Sequence, residues 1–406
     1  MMDRRPSLWV VGTFDTKADE LLFLATQIRQ AGVPVMTVDI STRGFHPHAD
    51  ITASEVAGHH EHGQDHVLGS GDRGMAVTAM GQALRRLVRA RQQEGEILGM
   101  LGIGGSGGTS MIAPAMQELP FGMPKLLITT LASGDTSSFV GSRDLCVVNP
   151  VTDLAGLNRL SRRILTNAAH AMVGMLSREA PAAPVDDKPA IGLSMFGVTT
   201  PCVQTLVGLL EGRYDCQVFH ANGAGGRTME ALARSHMLNA IIDITTTEVG
   251  QHLAGGVCDA GPDRLDAAAE LGIPWVGSLG ALDMINWGAP HTIPEQHRGR
   301  RFHVHNPQVT LMRSTGAELE RVGQRIARQL NRSPGVVHLF LPTKGLSALD
   351  APGQPFYDPE ANQALFHALE QTFEETPDHC LHKVPLHIND PEFAQQVAAT
   401  FRSVMR

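Results

Sequence analysis

Residues 97–110 read Ile-Leu-Gly-Met-Leu-Gly-Ile-Gly-Gly-Ser-Gly-Gly-Thr-Ser. The apolar residues up to 103 predict a buried strand, and the residues that follow the glycines predict a helix. Glycine favours neither element, so its concentration at 104–108 needs a separate explanation. Glycines leave backbone N–H groups uncovered, and a helix N-terminus adds partial positive charge. The segment therefore predicts a phosphate-binding loop in which Thr109 and Ser110 add hydroxyl donors.

A plainer interpretation of the same segment is a tight turn that serves only to pack the helix against the strand. No lysine occupies the position that would make the segment a P-loop, and the glycine spacing departs from the strict dinucleotide fingerprint. Any nucleotide would have to be bound in a different mode, and a nicotinamide oxidoreductase is not favoured.

Short apolar runs alternate with amphipathic stretches on both sides of this segment, a pattern typical of βα units in a parallel sheet. In the first unit, residues 8–11 predict a strand and residues 17–31 a helix. Further strands are predicted at 33–40, 97–103, 125–130, 145–148, 191–196, 216–220, 240–244, 273–276, 301–305 and 336–341. We therefore predict an α/β protein of two Rossmann-like lobes, each a mainly parallel sheet covered by helices on both faces.

The two lobes are separated in sequence by an aperiodic stretch rich in proline and small residues, Arg-Glu-Ala-Pro-Ala-Ala-Pro-Val-Asp-Asp-Lys-Pro-Ala at 178–190. This stretch predicts an N-terminal nucleotide-binding lobe at 1–180, a linker at 181–190 and a C-terminal Rossmann-like lobe at 191–406. The last helices are expected to pack back on the first lobe. A length of 406 residues is enough for two domains with separate cores.

The composition excludes several classes of protein. A net charge of −8 argues against generic binding to nucleic acid or to an anionic membrane. No apolar run approaches the ~20 residues that span a bilayer. The five cysteines are scattered without paired spacing, which indicates a reducing compartment, so we expect a cytoplasmic protein.

Two other loops are predicted at the same sheet edge as the glycine segment, because the carboxyl ends of parallel strands meet there. The loop at 12–17 offers an ammonium for phosphate charge and Asp15 as a partner for magnesium or a hydroxyl, and the loop at 129–135 offers hydroxyls and a carboxylate. Each loop taken alone is also explained as a helix cap. The predicted cofactor-binding residues are Gly12, Thr13, Asp15, Lys17, Asp39 (for ribose hydroxyls), Gly104, Gly105, Ser106, Gly107, Gly108, Thr109, Thr130, Ser133, Gly134 and Asp135.

The second lobe has a glycine loop of its own at 220–230, which predicts another anion cradle. Strand-end reasoning places beside it the segments 243–248, 277–283, 305–306 and 342–345. From this set we predict His220, Glu248 and Lys344 as catalytic residues that act on a second ligand. The alternative is that each of these groups caps a helix or bridges the lobes.

Histidines are concentrated at 46–66, in His46-Pro-His48, His59-His60-Glu61-His62 and His66. Imidazole and carboxylate are zinc ligands, but the stretch lacks the helical spacing that would put two imidazoles on one face. We therefore predict a solvated loop and no metal site.

Longer strings support a comparison with a known family. The chain resembles the ATP-binding family of the tomato mosaic virus resistance protein and its bacterial relatives over nearly its whole length. The strings that carry the resemblance are 12–17, 102–109, 129–135, 243–248, 260–265, 281–284, 305–307 and 356–359. One departure is His-Ala-Asn-Gly at 220–223, where most relatives are expected to have His-Pro-Thr-Gly; Asn222 still offers a donor.

The resemblance implies two Rossmann-like lobes, ATP bound by the N-terminal lobe, and self-association as a homodimer. The antiviral role of the plant protein is not expected of this chain. Two functions that involve a bound nucleotide remain open, beside a third interpretation as an interaction module in which neither glycine loop is occupied. The first is an ATP-binding protein, with or without Mg²⁺, that has room for a second ligand in the cleft between the lobes. The second is an ATP-dependent enzyme acting on a small carboxylate or phosphorylated metabolite bound by the C-terminal lobe.

Overall fold

A computed structural model describes residues 5–43, 47–177 and 188–405. The chain divides into two compact units, Met1–Pro184 and Val185–Arg406. Most of the predicted linker lies outside the described residues, and the first strand of the second unit begins at Ala190. No helix in the described ranges combines the length and apolar character needed to cross a bilayer.

The first unit contains one five-stranded sheet in the order β2-β1-β3-β4-β5, with every pair parallel. Its elements are β1 (Ser7–Gly12), α1 (Phe14–Gln30), β2 (Val35–Asp39), α2 (Ala53–Gly58), α3 (Gln64–Leu68), α4 (Arg73–Gln93), β3 (Ile97–Gly104), α5 (Ser106–Met116), β4 (Lys125–Thr129), α6 (Ser137–Val140), β5 (Cys146–Val148) and α7 (Arg159–Ser177).

Alternating residues of β1 enter different cores, which explains why this strand is apolar throughout. Trp9 and Val11 pack in one core with residues of α2 to α5, whereas Leu8 and Val10 pack in another with α1 and α7. A parallel sheet buried on both faces needs such continuous apolar strands. Both faces are covered by helices, as the sequence predicts.

The second unit contains a six-stranded parallel sheet in the order β14-β13-β9-β8-β6-β7. Its elements are β6 (Ala190–Met195), α8 (Thr200–Leu210), β7 (Asp215–His220), α9 (Ala224–Arg234), β8 (Ala240–Asp243), α10 (Thr247–Ala254), α11 (Asp266–Leu271), β9 (Trp275–Ser278), β10 (Met284–Trp287), β11 (Phe302–Asn306), β12 (Val309–Arg313), α12 (Gly316–Leu330), β13 (Val337–Pro342), α13 (Pro359–Thr372), β14 (His379–Val384) and α14 (Pro391–Val404).

Helices also lie on both sides of this sheet. Ile191 and Leu193 of β6 pack in one core with residues of α8 and α14. Gly192, which points to the opposite face, is closely covered by Met229 of α9, 2.9 Å from where a Cβ would lie. The last helix of the chain thus packs within the second unit, against α8.

One predicted strand belongs to a different sheet. Residues 302–306 form β11 of a separate three-stranded antiparallel sheet, ordered β10-β12-β11. The prediction that His305 and Asn306 end a parallel strand is therefore wrong. Alternation of apolar residues predicts a strand but does not distinguish which sheet the strand joins.

Candidate functional site

A pocket of about 360 Å³ lies in the first unit where the loop after β1 meets the loop after β3. In a sheet of order 2-1-3-4-5, strand order reverses between the first and third strands, and ligands bind in the crevice at such a switch point. Of the residues predicted from the sequence, the pocket lining contains Thr13, Asp15, Lys17, Gly105, Ser106, Gly107 and Gly108.

The glycines of the loop fall into two groups. At Gly102 and Gly104, a Cβ would lie 2.6 Å from Ile112 Cγ2 and 2.8 Å from Gly108 Cα respectively, so packing alone requires glycine there. Gly107 has nothing within 4 Å of such a Cβ, and the nearest atoms at Gly105 and Gly108 are 3.8 and 3.6 Å away.

Contacts within the protein therefore do not explain why residues 105, 107 and 108 are glycines. None of the three has a positive φ, and two of them stand in the first turn of α5, where each glycine costs about 0.5–1 kcal/mol relative to alanine. The N-cap residue of α5 is Gly105, so no side chain at this position accepts a hydrogen bond from the first amides of the helix. The first residues of α5 thus line the pocket at the positive end of the helix, where the backbone amides have no partner within the helix.

Three cationic side chains line the pocket with these amides: Lys17, Arg43 and Arg73. The Lys17 ammonium donates one hydrogen bond to the Leu154 carbonyl, at 3.0 Å, and an ammonium has three donors. Both arginines are exposed, and so is the carboxylate-bearing Asp15. The arrangement can neutralise several negative charges of a ligand and offers one carboxylate to a divalent cation.

Arg43 and Arg73 were not predicted. Arg43 follows β2 closely, so the strand-end reasoning used for the other loops could have identified it. Arg73 opens α4, directly after Asp72, whose side chain caps that helix by accepting from Met75 N at 2.8 Å. Only the tertiary contact of α4 with α5 brings Arg73 to the glycine loop.

Asp39 is placed beneath the site and outside its lining. The side chain is buried, and Oδ1 accepts hydrogen bonds from Ser41 N at 2.8 Å and from Phe14 N at 3.1 Å. These bonds fix the start of α1 against the end of β2. The carboxylate predicted for ribose hydroxyls therefore positions the loop after β1.

The remaining predicted residues of the first unit also lie outside the lining. Gly12 and Gly104 end their strands in close contact with neighbouring residues. Thr109 is buried, with Oγ1 2.6 Å from Thr129 Oγ1. In the loop after β4, Thr130, Ser133, Gly134 and Asp135 are absent from the pocket lining, although Thr130 Oγ1 lies near Gly105. Asp135 Oδ1 accepts a hydrogen bond from Ser137 N, the first residue of α6, at 2.9 Å, and hydrogen bonds from Ser137 lower the pKa of this carboxyl.

The second unit has a cavity of about 500 Å³ near the ends of β6 and β7. Its walls are mainly apolar, from Phe196, Val198, Val309 and Leu311 among others. The polar lining residues are His220, Asn222, Asn286, His305 and Asn306. The His220 ring stacks on Phe196 with centroids 5.1 Å apart. His305 thus reaches the predicted neighbourhood from the antiparallel sheet.

The prediction that the glycine loop at 220–230 cradles an external anion is wrong for two of its amides. Glu248 Oε1 accepts from Gly223 N at 2.6 Å and from Gly226 N at 3.1 Å, and the side chain is fully buried. The protein's own carboxylate thus occupies the cradle. Glu248 has no access to a substrate, so its predicted catalytic role is not supported.

Arg264 explains why Glu248 is held there. Its guanidinium, also buried, bonds to Glu248 Oε2 at 2.7 Å and to both oxygens of Asp243 at 2.7 and 2.8 Å. Glu230 is a third carboxylate partner at 3.3 Å. Burial alone would lower the pKa of Arg264, but Asp243 and Glu248 raise it well above its ordinary value. The sequence reasoning missed this arginine, although it stands in the string 260–265.

Lys344 is exposed and is not among the lining residues of the cavity that contains His220. Of the three predicted catalytic residues, the structure places only His220 in that cavity. In the histidine-rich region, His46 lies outside the described residues, and the rings of His60, His62 and His66 have centroids 4.8 to 5.5 Å apart.

Another buried pair, Asp283 and Asp350, lies in the second unit. Ser347 Oγ donates to Asp283 Oδ2 at 2.8 Å, and Asn362 Nδ2 donates to Asp350 Oδ2 at 2.7 Å. The Oδ1 atoms of both residues have no hydrogen-bond partner among the described residues. Burial and the neighbouring Asp350 raise the pKa of Asp283 to about 7.

A third cavity, of about 540 Å³, runs along α12 and is lined by Arg321, Arg325, Arg328 and Arg332. Two of these side chains already have internal partners, since Arg325 donates to the Pro262 carbonyl and Arg332 pairs with Asp266. No glycine is among the residues that line this cavity. We therefore take the switch-point pocket as the candidate site.

These features define a class: a two-unit α/β protein, each unit built on a parallel sheet, with a cationic glycine-loop pocket at the switch point of the first sheet. The chain belongs to the family described as Uncharacterised protein family (UPF0261). The model of its N-terminal domain matches residues 6–181, and that of its C-terminal domain matches residues 188–405.

The relatives include the plant protein of the predicted family. A UPF0261 protein of Mesorhizobium japonicum is 52% identical over 97% of this chain and 98% of its own length. The tomato ToMV resistance protein Tm-1 is 40% identical over 98% of this chain and 56% of its own length. The resemblance stated from the sequence is thereby confirmed. The UDP-N-acetylglucosamine 2-epimerase of Rickettsia bellii aligns over 99% of this chain and 96% of its own, at 10% identity and a TM-score of 0.22.

Proposed function

We propose that the N-terminal unit binds ATP, with its phosphates on the amides of Gly105 to Gly108. The observation that carries the proposal has two parts. Contacts within the protein do not require glycine at 105, 107 and 108, and these glycines line a pocket together with three cationic side chains. A chain of phosphates bears several negative charges, which suits a helix N-terminus flanked by Arg43 and Arg73.

Asp15 is the residue proposed to contact Mg²⁺. It is exposed, it lines the same pocket, and carboxylate oxygen is a preferred ligand of this ion. Magnesium usually binds through one or two carboxylates together with the phosphates of the substrate. Asp15→Asn is therefore expected to reduce the magnesium dependence of ATP binding more than binding without magnesium.

Calorimetric titration with ATP, with and without Mg²⁺, tests the proposal directly. Arg43→Ala and Arg73→Ala should each weaken binding, and the loss should shrink as salt is raised, because exposed charges are screened. Arg321→Ala, which removes an exposed arginine from α12, is the matched control and should bind like the parent chain. Absence of heat at millimolar nucleotide in both buffers would refute the proposal.

The second candidate is an ATP-dependent enzyme in which the C-terminal unit binds a small metabolite. The cavity around His220 and His305 favours it, because a mainly apolar wall with a few convergent polar groups is typical of small-molecule sites. Its lining contains no lysine or arginine, so we expect a substrate with an apolar body rather than a phosphorylated one.

A thermal-shift screen of metabolites in the presence of ATP tests this candidate, because a ligand that binds the native state raises its apparent stability. His220→Ala and His305→Ala should abolish any shift, whereas Lys344→Ala should preserve it. A thermal shift that survives both histidine changes would count against the cavity as the binding site.

Self-association as a homodimer is also proposed. Sedimentation should then give a mass of about twice 43.6 kDa.

A further inference from the structure

Strands β13 and β14 bring together three side chains of metal-binding type: His338, Cys380 and His382. One ligand atom from each lies within 4.8 Å of the other two. His338 Nδ1 is 2.8 Å from His382 Nε2, and the two rings are stacked with centroids 5.1 Å apart. None of the three was considered from the sequence, because His338 is more than 40 residues away from the other two.

The strand register explains the cluster. His338 is the pairing partner of Cys380, and parallel partners direct their side chains to the same face. His382 is two residues beyond Cys380 on the same strand, so it shares that face. All three side chains are partly exposed, and β14 is an edge strand of its sheet, so an ion can reach them.

We propose that His338 Nδ1, His382 Nε2 and Cys380 Sγ form a binding site for Zn²⁺. Two imidazoles with a thiolate are the donor set that this ion prefers, with three or four protein ligands in tetrahedral geometry. The ion lies between the two nitrogens that are now hydrogen-bonded, and both imidazoles stay neutral, so the ring that donates this bond carries its proton on its other nitrogen when zinc is bound. Bonds of about 2.0–2.1 Å to each nitrogen need a nitrogen separation of roughly 3.3 Å, so one ring moves by about half an ångström.

The acidic residues Glu375 and Asp378 lie near Cys380, and their negative charge favours a cation at the cluster. Binding of the ion deprotonates the Cys380 thiol.

The position of the site indicates its role. His338 is the second residue of β13, so the cluster lies near the amino ends of the strands, opposite the edge where the cavity of this unit opens. We therefore assign the ion a structural role, in which it links the edge strand β14 to β13.

The test uses the full chain without a histidine tag, stripped with EDTA and titrated with Co²⁺ as the spectroscopic probe. We expect a thiolate-to-cobalt charge-transfer band that saturates at one ion per chain and is displaced by Zn²⁺. The band should be lost in Cys380→Ser, strongly weakened in His382→Gln, and unchanged in Cys216→Ser, the matched control on edge strand β7. The histidines at 60, 62 and 66 cannot produce this band, because they have no thiolate among them.

Two further measurements keep the proposal falsifiable should a variant fold poorly. In the parent chain, Zn²⁺ should protect Cys380 but not Cys216 from alkylation, as read by peptide mass. Zn²⁺ should also raise the unfolding temperature of the parent chain but not that of Cys380→Ser. The proposal is overturned by an absent band in the parent chain, by a band that persists in Cys380→Ser, or by equal alkylation of both thiols.

Discussion

Gly107 lies in the first turn of α5, where a Cβ would meet no atom within 4 Å. Alanine at this position should therefore improve the helix and raise the free energy of unfolding by about 0.5–1 kcal/mol. If the bare backbone serves phosphate, the same change should weaken ATP binding about tenfold, which is ~1.4 kcal/mol. Gly107→Ala is thus predicted to stabilise the protein and impair its proposed function, as measured by urea unfolding and calorimetry.

Gly174 supplies the control for this prediction. It is an exposed glycine of α7, it also has no atom within 4 Å of where a Cβ would lie, and it is far in sequence from the pocket. Gly174→Ala should give a similar gain in stability and leave ATP binding unchanged. Equal ATP affinity in the parent chain and in Gly107→Ala would mean that the glycine serves no ligand.

The stability of the second unit depends on Arg264, because three carboxylates share its one buried guanidinium. Removing one partner of a buried ion pair leaves uncompensated charge and typically costs about 3–5 kcal/mol. Arg264→Met should therefore lower the free energy of unfolding by about that amount or more, as measured by urea denaturation. Arg332→Met removes a pair with Asp266 in which the arginine is exposed to solvent, and it should cost less than about 1 kcal/mol. Similar costs for the two variants would contradict the role assigned to the buried network.

At the scale of elements, the Asp283 and Asp350 carboxyls connect the start of β10 to the loop between β13 and α13. Burial and Asp350 raise the pKa of Asp283 from 3.8 to about 7, so the folded state holds a proton that the unfolded chain releases. The corresponding stabilisation is complete below about pH 4 and is lost as the pH rises through about 7.

Asp283→Asn should remove this dependence. The difference in unfolding free energy between the parent chain and the variant is predicted to fall from pH 4 to pH 8, by at most about 1.4 kcal/mol per pH unit. For Glu318→Gln, the difference in unfolding free energy between the parent chain and the variant should instead rise with pH. Burial would raise the pKa of Glu318, but hydrogen bonds from Arg300 and Thr315 lower it, so its stabilisation is lost as the pH falls. If the difference in unfolding free energy between the parent chain and Asp283→Asn did not change with pH, the Asp283 carboxyl would not be protonated in the folded state.

The residues at the ends of the strands could be predicted from the sequence only in part. It placed Thr13, Asp15 and Lys17 beside the glycine loop correctly, because parallel strands put their carboxyl ends at one edge. It failed for Lys344, because β9 and β8 separate β13 from β6 in the sheet. It placed His305 near His220 for the wrong reason, because β11 belongs to an antiparallel sheet. Strand direction and sheet membership depend on pairing partners far away in sequence.

At the scale of the whole molecule, each unit has its own sheet and its own apolar cores. The fragments 1–187 and 188–406 are therefore predicted to fold separately and to unfold cooperatively, as measured by circular dichroism during heating. ATP at 100 times its dissociation constant should stabilise the first fragment by about 2.7 kcal/mol and leave the second unchanged. A second fragment that responds to ATP would place the nucleotide site in the other unit.

The sequence by itself determined that the chain has two α/β units, that the main sheet of each unit is parallel, that a bare glycine loop follows β3, and to which family the chain belongs. These properties follow from local periodicity, from glycine content and from contiguous strings. Only the tertiary structure decided which polar groups are free to act. Glu248 is closed off by Arg264 and by the amides of the glycine loop at 220–230, whereas residues 105–108 line a cationic pocket. The reason is that burial and pairing depend on residues brought together from distant parts of the chain, which no local pattern records.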